Sequence, residues 1–312
     1  MNIIKYRYVF FAISLLVIVP GMIALALWGL DVGIDFTGGS LLEIRVTEGS
    51  LPSVAQIGAA YNKISTAEMP VADPLIQPLG TDGYSIRSRE MDDSAKAAVV
   101  AEIESTSGAK LAILNFTQVS PAIGQEVAGR AAEAVALAAV AILLYITYAF
   151  RGVEHSFRYG TAAIIAMLHD VLVVIGAEAI VGHFLGWQAD ALFLTALLTV
   201  IGFSVHDTIV VFDRIRENSR VLRRLDYERV VNHSIVQTLD RSINTQLTVM
   251  ITLFSLVLFG GESIRHFAII LLVGVFSGTY SSIFNASPIL VVWENREWRT
   301  WFRRRDGAEA AA

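Results

Sequence analysis

Residues 191–212 read ALFLTALLTVIGFSVHDTIVVF, and this stretch decides the fold class. An α-helix needs about 20 predominantly apolar residues to cross the hydrocarbon core of a bilayer. The stretch is that long, and its one acidic residue is Asp207. A carboxylate inside a spanning helix costs free energy, so it also marks a candidate functional site. The stretch therefore predicts a membrane helix that carries an ionisable group.

Apolar blocks of similar length recur on both sides of this helix and predict six transmembrane helices, TM1 to TM6. They cover residues 8–28, 131–149, 159–181, 191–212, 243–259 and 267–292. The basic residues before the first block resemble the start of a signal peptide. That block is longer than a signal peptide's apolar region and no small-residue cleavage site follows, so we expect a retained helix.

The composition agrees with an integral membrane protein. The 312-residue chain is 54% hydrophobic and only 17% charged, with a mean hydropathy of +0.56, whereas soluble domains contain about 25% charged residues. The chain has no cysteine. Disulfides, thiolate nucleophiles and cysteine-based metal sites are therefore excluded, and neither a metal nor a cofactor is expected.

The arginines in the short loops predict the orientation of the helices. They alternate: Arg151 and Arg158 follow TM2, seven arginines lie between 213 and 241, and five follow TM6, whereas the TM3–TM4 loop has none and the TM5–TM6 loop has only Arg265. Because positive charge accumulates on the cytoplasmic side, both termini are predicted to be cytoplasmic. A long domain translocates largely regardless of its charge, so the stretch between TM1 and TM2 is predicted to lie outside.

This topology divides the chain into four parts. They are residues 1–30, the N-terminus with TM1; 31–126, the periplasmic domain; 127–295, the TM2–TM6 bundle; and 296–312, a basic cytoplasmic tail. Within the bundle, residues 213–240 combine arginines with apolar residues at roughly helical spacing. That pattern favours an amphipathic helix on the membrane surface, in contact with lipids, over a segment that binds a cytoplasmic partner.

The periplasmic domain is predicted to be an α+β unit. Strands are expected at 41–46, 75–78, 84–87 and 110–119, and helices at 54–64 and 93–104, with Asp92 or Asp93 as a cap. The order β-α-β-β-α-β is the ferredoxin-like pattern. The predicted fold class is thus a membrane α-helical bundle of six transmembrane helices with one periplasmic ferredoxin-like domain.

Ionisable residues within the helices are the candidate functional groups. At 1.5 Å per residue, Asp207 lies roughly 9 Å and Asp170 roughly 18 Å from the cytoplasmic interface. Arg241 is placed at the cytoplasmic start of TM5, on the side where TM4 ends. His169 and His206 adjoin the two aspartates in sequence.

Two interpretations of Asp207 remain open: a structural anchor between helices, or a carboxylate that takes up and releases protons. Burial favours the protonated form of a carboxyl group and a nearby arginine favours the ionised form, so an Asp207–Arg241 pair that can separate is a sensible proton switch. His169 and His206 are candidates for relaying protons, although each is also explained as an ordinary hydrogen-bonded packing residue. Thr195, Thr199 and Gly202 in TM4, and the GxxxG pair Gly274 and Gly278 in TM6, favour close helix packing.

Several motifs resemble those of the SecD/SecF family. Residues 33–39 read GIDFTGG, 119–124 read VSPAIG, His169-Asp170 lies in TM3, and 202–218 read GFSVHDTIVVFDRIREN. The run RSINT at 241–245 is similar to the motif that follows in the family. The matching residues of the first and longest motifs include Gly33, Asp35, Phe36, Thr37, Gly38, Gly39, Asp213, Arg214, Arg216, Glu217 and Asn218.

The resemblance to SecF proteins implies a role in bacterial protein export and not an enzyme activity. Such proteins pair with SecD and use the proton-motive force to help preproteins leave the SecYEG channel on the periplasmic side of the inner membrane. The TM4 aspartate and TM5 arginine that matter for proton coupling in the family correspond to Asp207 and Arg241. His206 stands where the family usually has asparagine, and this difference either shifts the proton affinity of Asp207 or is neutral.

Three other functions fit the sequence less well. Gly38-Gly39 lacks the Lys-Ser/Thr of a phosphate-binding loop and favours a tight turn instead; nucleic-acid binding is not indicated. A proton-coupled small-molecule exporter of the resistance-nodulation-division type shares intramembrane carboxylates but usually has two similar halves. An intramembrane aspartyl protease needs two carboxylates in one site, whereas Asp170 and Asp207 are predicted at different depths.

Overall fold

The computed structural model describes residues 2–65, 71, 74–153 and 155–297, and it divides the chain into two compact units. The first is helical and comprises Met1–Leu30, Ala134–Trp187 and Leu192–Ala312. The second comprises Asp31–Glu133 and Gln188–Ala191 and contains a sheet.

The helical unit is built mainly from long α-helices that follow a short 3-10 turn at Ile4–Tyr6. They are α1 (Arg7–Trp28), α5 (Pro121–Ala149, whose first turns belong to the second unit), α6 (Ser156–Leu185), α7 (Ala191–Val221), α8 (Tyr227–Phe259), α9 (Glu262–Ser281) and α10 (Ser287–Glu294). A π-helical turn, Ser282–Ala286, joins α9 to α10 into one continuous rod. Within the described parts of the chain, six helices are long and apolar enough to cross a membrane. The prediction of six spanning helices is confirmed as far as helix length and apolar composition are concerned.

The main difference from the sequence prediction concerns residues 213–240. A single helix along the membrane surface was predicted there, but the structure has two helix ends joined by a turn: α7 continues to Val221 and α8 begins at Tyr227. No glycine or proline interrupts 203–221 or 227–259, so each spanning helix simply continues through the polar residues. The apolar residues Val230, Val231 and Ile235 of the early part of α8 are buried.

The π-helical turn lies just before Pro288 in the last rod. A proline within a helix has no N–H to donate and its ring crowds the carbonyl of the preceding turn. A wider turn of i→i+5 type relieves this locally, and Ser287 Oγ donates to Ser282 O at 3.2 Å across it. The last span therefore continues past its proline.

Glycines set the closest helix contacts. A Cβ on Gly176 of α6 would lie 2.8 Å from Cα of Gly21 in α1, and a Cβ on Gly274 of α9 would lie 2.1 Å from Val200 Cγ2 in α7. A Cβ on Gly278 would lie 3.2 Å from Cα of Ser204, a tight but less severe contact. The close packing predicted for Gly274 and Gly278 is thus confirmed, whereas Gly202 has nothing within 4 Å in the described residues.

We expect Gly176→Ala to destabilise the helical unit, because the new methyl group would overlap backbone atoms of α1 that cannot rotate away. Overpacking of this kind costs about 1–3 kcal/mol. Gly202→Ala is the matched control, since the same methyl group meets open space and alanine favours a helix by about 1 kcal/mol. Thermal unfolding of the full chain in detergent checks the prediction, and equal melting temperatures for the two variants would contradict it.

The second unit has the six elements predicted for it, in the predicted order. They are β1 (Gly39–Glu48), α3 (Val54–Ile64), β2 (Leu75–Leu79), β3 (Gly83–Ser88), α4 (Asp93–Ser107) and β4 (Lys110–Val119), preceded by the four-residue α2 (Ile34–Thr37). The antiparallel sheet has the order β2-β3-β1-β4. Asp92, one of the two predicted caps, accepts a hydrogen bond from the Ala95 N–H at 2.8 Å.

The core of this unit forms between one face of the sheet and the two helices. Leu42 of β1 lies opposite Ile86 of β3, and both are fully buried. Tyr61 of α3 and Val99 of α4 are buried in the same cluster. Alternate residues of a strand point to one face, so β1 and β3 supply these apolar residues at every second position.

Candidate functional site

The two intramembrane aspartates predicted from the sequence are both buried in the helical unit. Asp170 of α6 is 0% exposed and Asp207 of α7 is 4% exposed. Helix α9 reaches both of them with a run of hydroxyl side chains between Ser277 and Ser282. Gly274 and Gly278 allow this, because they bring α9 close to α7.

The carboxylate of Asp170 is fully satisfied by hydrogen bonds. Ser204 Oγ and Ser281 Oγ donate to Oδ2 at 2.5 and 2.6 Å, and Ser277 Oγ donates to Oδ1 at 2.6 Å. His169 Nδ1 lies 2.9 Å from Oδ1. Asp170 thereby ties α6 to α7 and α9.

His169 contacts Asp170 through one ring nitrogen, and the residue also lines a largely apolar cavity. The residue is 9% exposed, and its Nε2 has no hydrogen-bond partner among the described residues. The cavity, of about 670 Å³, is lined by apolar residues of α1, α8 and α9. When Nδ1 carries the proton towards the carboxylate, Nε2 has a free lone pair, so His169 is chemically able to accept a second proton.

Asp207 has far fewer partners than Asp170. Its one hydrogen bond among the described residues comes from Thr279 Oγ1, at 3.0 Å from Oδ2. The same hydroxyl also lies within hydrogen-bonding distance of Gln246 Oε1 in α8. A hydroxyl carries a single proton, so Thr279 donates either to Asp207 or to Gln246. The buried Nε2 of Gln246 has no partner in the described part of the chain.

The other two predicted residues, Arg241 and His206, lie at the surface of the helical unit. Both are close enough to act electrostatically on Asp207. Neither forms an ion pair or hydrogen bond with it among the described residues. Arg241, predicted at the entry to the fifth span, lies well inside α8, because this helix begins at Tyr227, before the apolar segment.

The sequence analysis missed the hydroxyl and amide partners of the two aspartates. These are Ser204, Gln246, Ser277, Thr279 and Ser281. Residues 277–282 read SGTYSS inside an apolar segment. Such a density of hydroxyl groups at membrane depth indicates interhelical hydrogen bonds, so this signal was present in the sequence.

The motif at residues 33–39 forms a tight turn ahead of β1. Gly38 and Gly39 have φ angles of +75° and +124°, a region that favours glycine. A Cβ on Gly38 would lie 2.6 Å from Cα of Pro121, so a side chain would also clash. Asp35 Oδ2 accepts a hydrogen bond from the Ala191 N–H at 2.9 Å, and Thr37 Oγ1 donates to Gly33 O at 3.1 Å. These contacts give the motif a structural role within the second unit.

The motif residues near the end of α7 connect it to α8. Asn218 is buried, and its amide donates to Ser234 Oγ at 2.9 Å and to Gln237 Oε1 at 2.8 Å. Arg214 Nε donates to the same Gln237 oxygen at 2.7 Å and pairs with Glu217 at 2.6 Å. Arg216 pairs with Asp213 at 2.5 Å. These contacts hold the two helix ends together where they extend beyond the apolar spans.

The chain has six potential spans, a small α+β unit and hydrogen-bonded carboxylates within the helical bundle. These features define a multi-pass membrane protein with ionisable groups inside its spanning helices. Residues 99–296 match the family described as protein export membrane protein SecD/SecF, C-terminal. The chain belongs to the SecD/SecF family.

Full-length relatives support this assignment. The protein translocase subunits SecF of Anaerolinea thermophila and Thermobaculum terrenum are 55% and 50% identical, each over 100% of this chain and 99% of the relative. The crystal structure of SecDF from Thermus thermophilus, a translocon-associated membrane protein, matches with a TM-score of 0.80 at 33% identity. That match covers 95% of this chain and 39% of SecDF, so the chain spans about two fifths of that protein.

Proposed function

We propose that this chain is a SecF-type accessory subunit of the Sec translocase, which with SecD uses the proton-motive force to promote preprotein export. The observation that carries the proton-coupling part is Asp207, a buried carboxylate whose one hydrogen bond among the described residues comes from a threonine hydroxyl that also reaches Gln246 Oε1. Full-length identity with SecF subunits supports the translocase part.

Thr279 supplies a physical link between proton binding and helix contacts. While Asp207 is ionised, the Thr279 hydroxyl donates to it. Once Asp207 carries a proton it no longer needs this donor, and the hydroxyl is free to turn to Gln246 Oε1 in α8. Proton uptake thus switches the Thr279 hydroxyl of α9 from a bond with α7 to a bond with α8. Arg241, at the surface of α8, is the proposed positive partner that approaches the ionised carboxylate in one state and withdraws in the other.

His169 and Asp170 are the proposed second pair. Four hydrogen-bond partners hold the Asp170 carboxylate in place, and the proposed proton-carrying atom is His169 Nε2, which has no hydrogen-bond partner among the described residues. His206 is a proposed modulator of Asp207, since it faces outward at the adjacent position of α7.

SecD is the proposed membrane partner. The SecDF proteins of Thermus thermophilus and Bacillus subtilis align with this chain over 38% of their length, which supports a complex of two polypeptides here. The exposed helix face at Thr199 and Gly202, where a Cβ on Gly202 meets no neighbour within the described residues, offers a packing surface to such a partner. The other proposed partners are the SecYEG channel, preproteins on the periplasmic side and membrane lipids.

The proposed location is the bacterial inner membrane, with both termini cytoplasmic and residues 31–126 forming a ferredoxin-like periplasmic domain. The arginine distribution supports the orientation. The β-α-β-β-α-β order and the sheet order β2-β3-β1-β4 support the ferredoxin-like assignment. No enzyme activity is proposed. In particular, Asp170 and Asp207 share no hydrogen-bond partner among the described residues, which argues against an aspartyl protease pair.

Fusion of topology reporters should check the orientation. A reporter at Arg220 is expected inside, because seven arginines lie between 213 and 241, and a reporter between 186 and 190 is expected outside, because that loop has none. A reporter within 31–126 should also be outside. A periplasmic signal at Arg220 would contradict the proposed topology.

Complementation tests the proposed function directly. The chain, expressed together with SecD from the same source, should restore preprotein export in a bacterium depleted of its own SecF and SecD, and tagged chain should copurify with SecD. Altered drug resistance without any effect on export would favour a small-molecule exporter and overturn the proposal.

A further inference from the structure

A small basic pocket lies at the end of the helical unit where α6 and α8 begin and α7 ends. Its volume is about 270 Å³, and α10 closes one side with Leu290 and Glu294. None of the groups discussed as proton-coupling residues lines it. The pocket is therefore distinct from the site around Asp207.

Arginines dominate the lining of this pocket. Four of them, Arg158, Arg216, Arg220 and Arg223, face one carboxylate, Glu294, among the described lining residues. Arg158 pairs with Glu294 at 2.5 Å, and Arg216 pairs with Asp213 outside the pocket.

The remaining two arginines have no carboxylate within 4 Å in the described part of the chain. Arg220 donates only to Gly152 O, at 3.5 Å, and Arg223 Nε donates to Arg220 O at 3.1 Å. Guanidinium groups hold five donors each, so most donors of these two side chains are left for a ligand. Among the described lining residues, the pocket carries more positive than negative charge.

The rest of the pocket also favours an anion. Tyr159 and Tyr227 line it, and their hydroxyls are 3.1 Å apart. One hydroxyl donates to the other, which leaves one phenolic proton for a further acceptor. The first turns of α6 and α8 and the last turn of α7 all lie at the pocket, so the helix dipoles largely offset one another and the positive charge comes from the arginines.

The surroundings indicate that the anion belongs to a lipid. Phe157 and Val221 flank the pocket in sequence and are 59% and 74% exposed, which places apolar side chains beside the arginines. Basic pockets between membrane helices on the positively charged side bind anionic headgroups, and arginine matches phosphate in a bidentate geometry. We propose that this pocket binds the phosphate of an anionic phospholipid headgroup, with Arg220 and Arg223 as the principal ligands.

The test uses the purified full-length chain with short-chain phosphatidylglycerol, phosphatidylcholine or inorganic phosphate. Binding is measured by native mass spectrometry and by the shift in melting temperature. We expect phosphatidylglycerol to bind more tightly than either of the others. The double variant Arg220→Gln/Arg223→Gln should weaken its binding about tenfold or more, as expected when charge-assisted hydrogen bonds worth about 1.4 kcal/mol or more are lost.

The matched control is Arg224→Gln/Arg229→Gln, which removes the same charge from the same region but outside this pocket. It should change the affinity by no more than about twofold, because diffuse surface charge is screened by salt. An equal loss in both double variants would overturn the proposal in favour of general surface attraction. Equal binding of inorganic phosphate and phosphatidylglycerol would overturn the assignment to a lipid.

A pair of lysine substitutions separates a loss of lipid binding from a loss of folding. Arg220→Lys/Arg223→Lys keeps both charges but loses the planar fork of donors. It should bind phosphatidylglycerol severalfold more weakly while melting at the same temperature as the wild type without lipid. Unchanged affinity in the lysine pair would overturn the bidentate arginine site.

Discussion

Asp207→Asn is expected to abolish the stimulation of preprotein export by a proton gradient while the protein remains inserted and bound to SecD. Asparagine keeps the volume of the side chain and an acceptor oxygen for Thr279, which is the one hydrogen bond of Asp207 among the described residues. It cannot take up and release a proton. Export of a slow preprotein into membrane vesicles, with and without an imposed gradient, is the measurement.

Three further variants make this result specific. Asp207→Glu should keep part of the stimulation, and Arg241→Met should impair it by removing the proposed positive partner. His206→Asn changes a neighbouring residue at the surface and should have a much smaller effect. Stimulation that survives in Asp207→Asn would rule out Asp207 as the proton carrier and make Asp170 the next candidate.

Asp170→Leu should prevent the chain from accumulating as a folded protein. The change leaves Ser204 Oγ, Ser277 Oγ and His169 Nδ1 without their acceptor in the interior, whereas Ser281 Oγ keeps Gly278 O. Each unsatisfied buried group costs about 1–3 kcal/mol, and the stability of a folded domain is only about 5–15 kcal/mol. The yield of monodisperse protein after mild extraction, and its melting temperature, measure the effect.

The matched control for Asp170→Leu is Asp207→Leu. It removes the same charge from the neighbouring helix, but the one donor that it frees, Thr279, still has Gln246 as an acceptor. We therefore expect a much smaller loss of stability. Equal losses would show that the four bonds to Asp170 are not what stabilises the bundle. Asp170→Asn should fold, and loss of gradient stimulation in it would assign proton transfer to the His169–Asp170 pair as well.

Much of the fold could be predicted because the relevant signals are local. Apolar length alone locates the six spans, and turn and cap residues locate the elements of the second unit, where the bounds of α3 and β4 match the prediction. The ends of the spanning helices were less predictable. Hydropathy falls where α7 and α8 leave the apolar region, but helical structure ends only where the backbone or its packing requires it.

The candidate site was predictable in its charged members and not in its geometry. Asp170 and Asp207 stand out because a carboxylate in an apolar segment is costly. Their different environments depend on which face of α9 meets them, and that face is set by close contacts at Gly274 and Gly278. Long-range packing of this kind is not encoded in any single segment.

The π-helical turn at Ser282–Ala286 makes the number of residues in the last span matter as much as their identity. A wide turn is equivalent to a one-residue insertion in a regular helix, and each residue rotates a helix by about 100°. Deletion of one residue there would leave the hydropathy and charge of the segment almost unchanged. It would nevertheless rotate Ser281 and Asn285 relative to each other, so that their bonds to Asp170 and Ser14 could not both form. Between relatives, a length difference at this turn is therefore a more severe change than most substitutions.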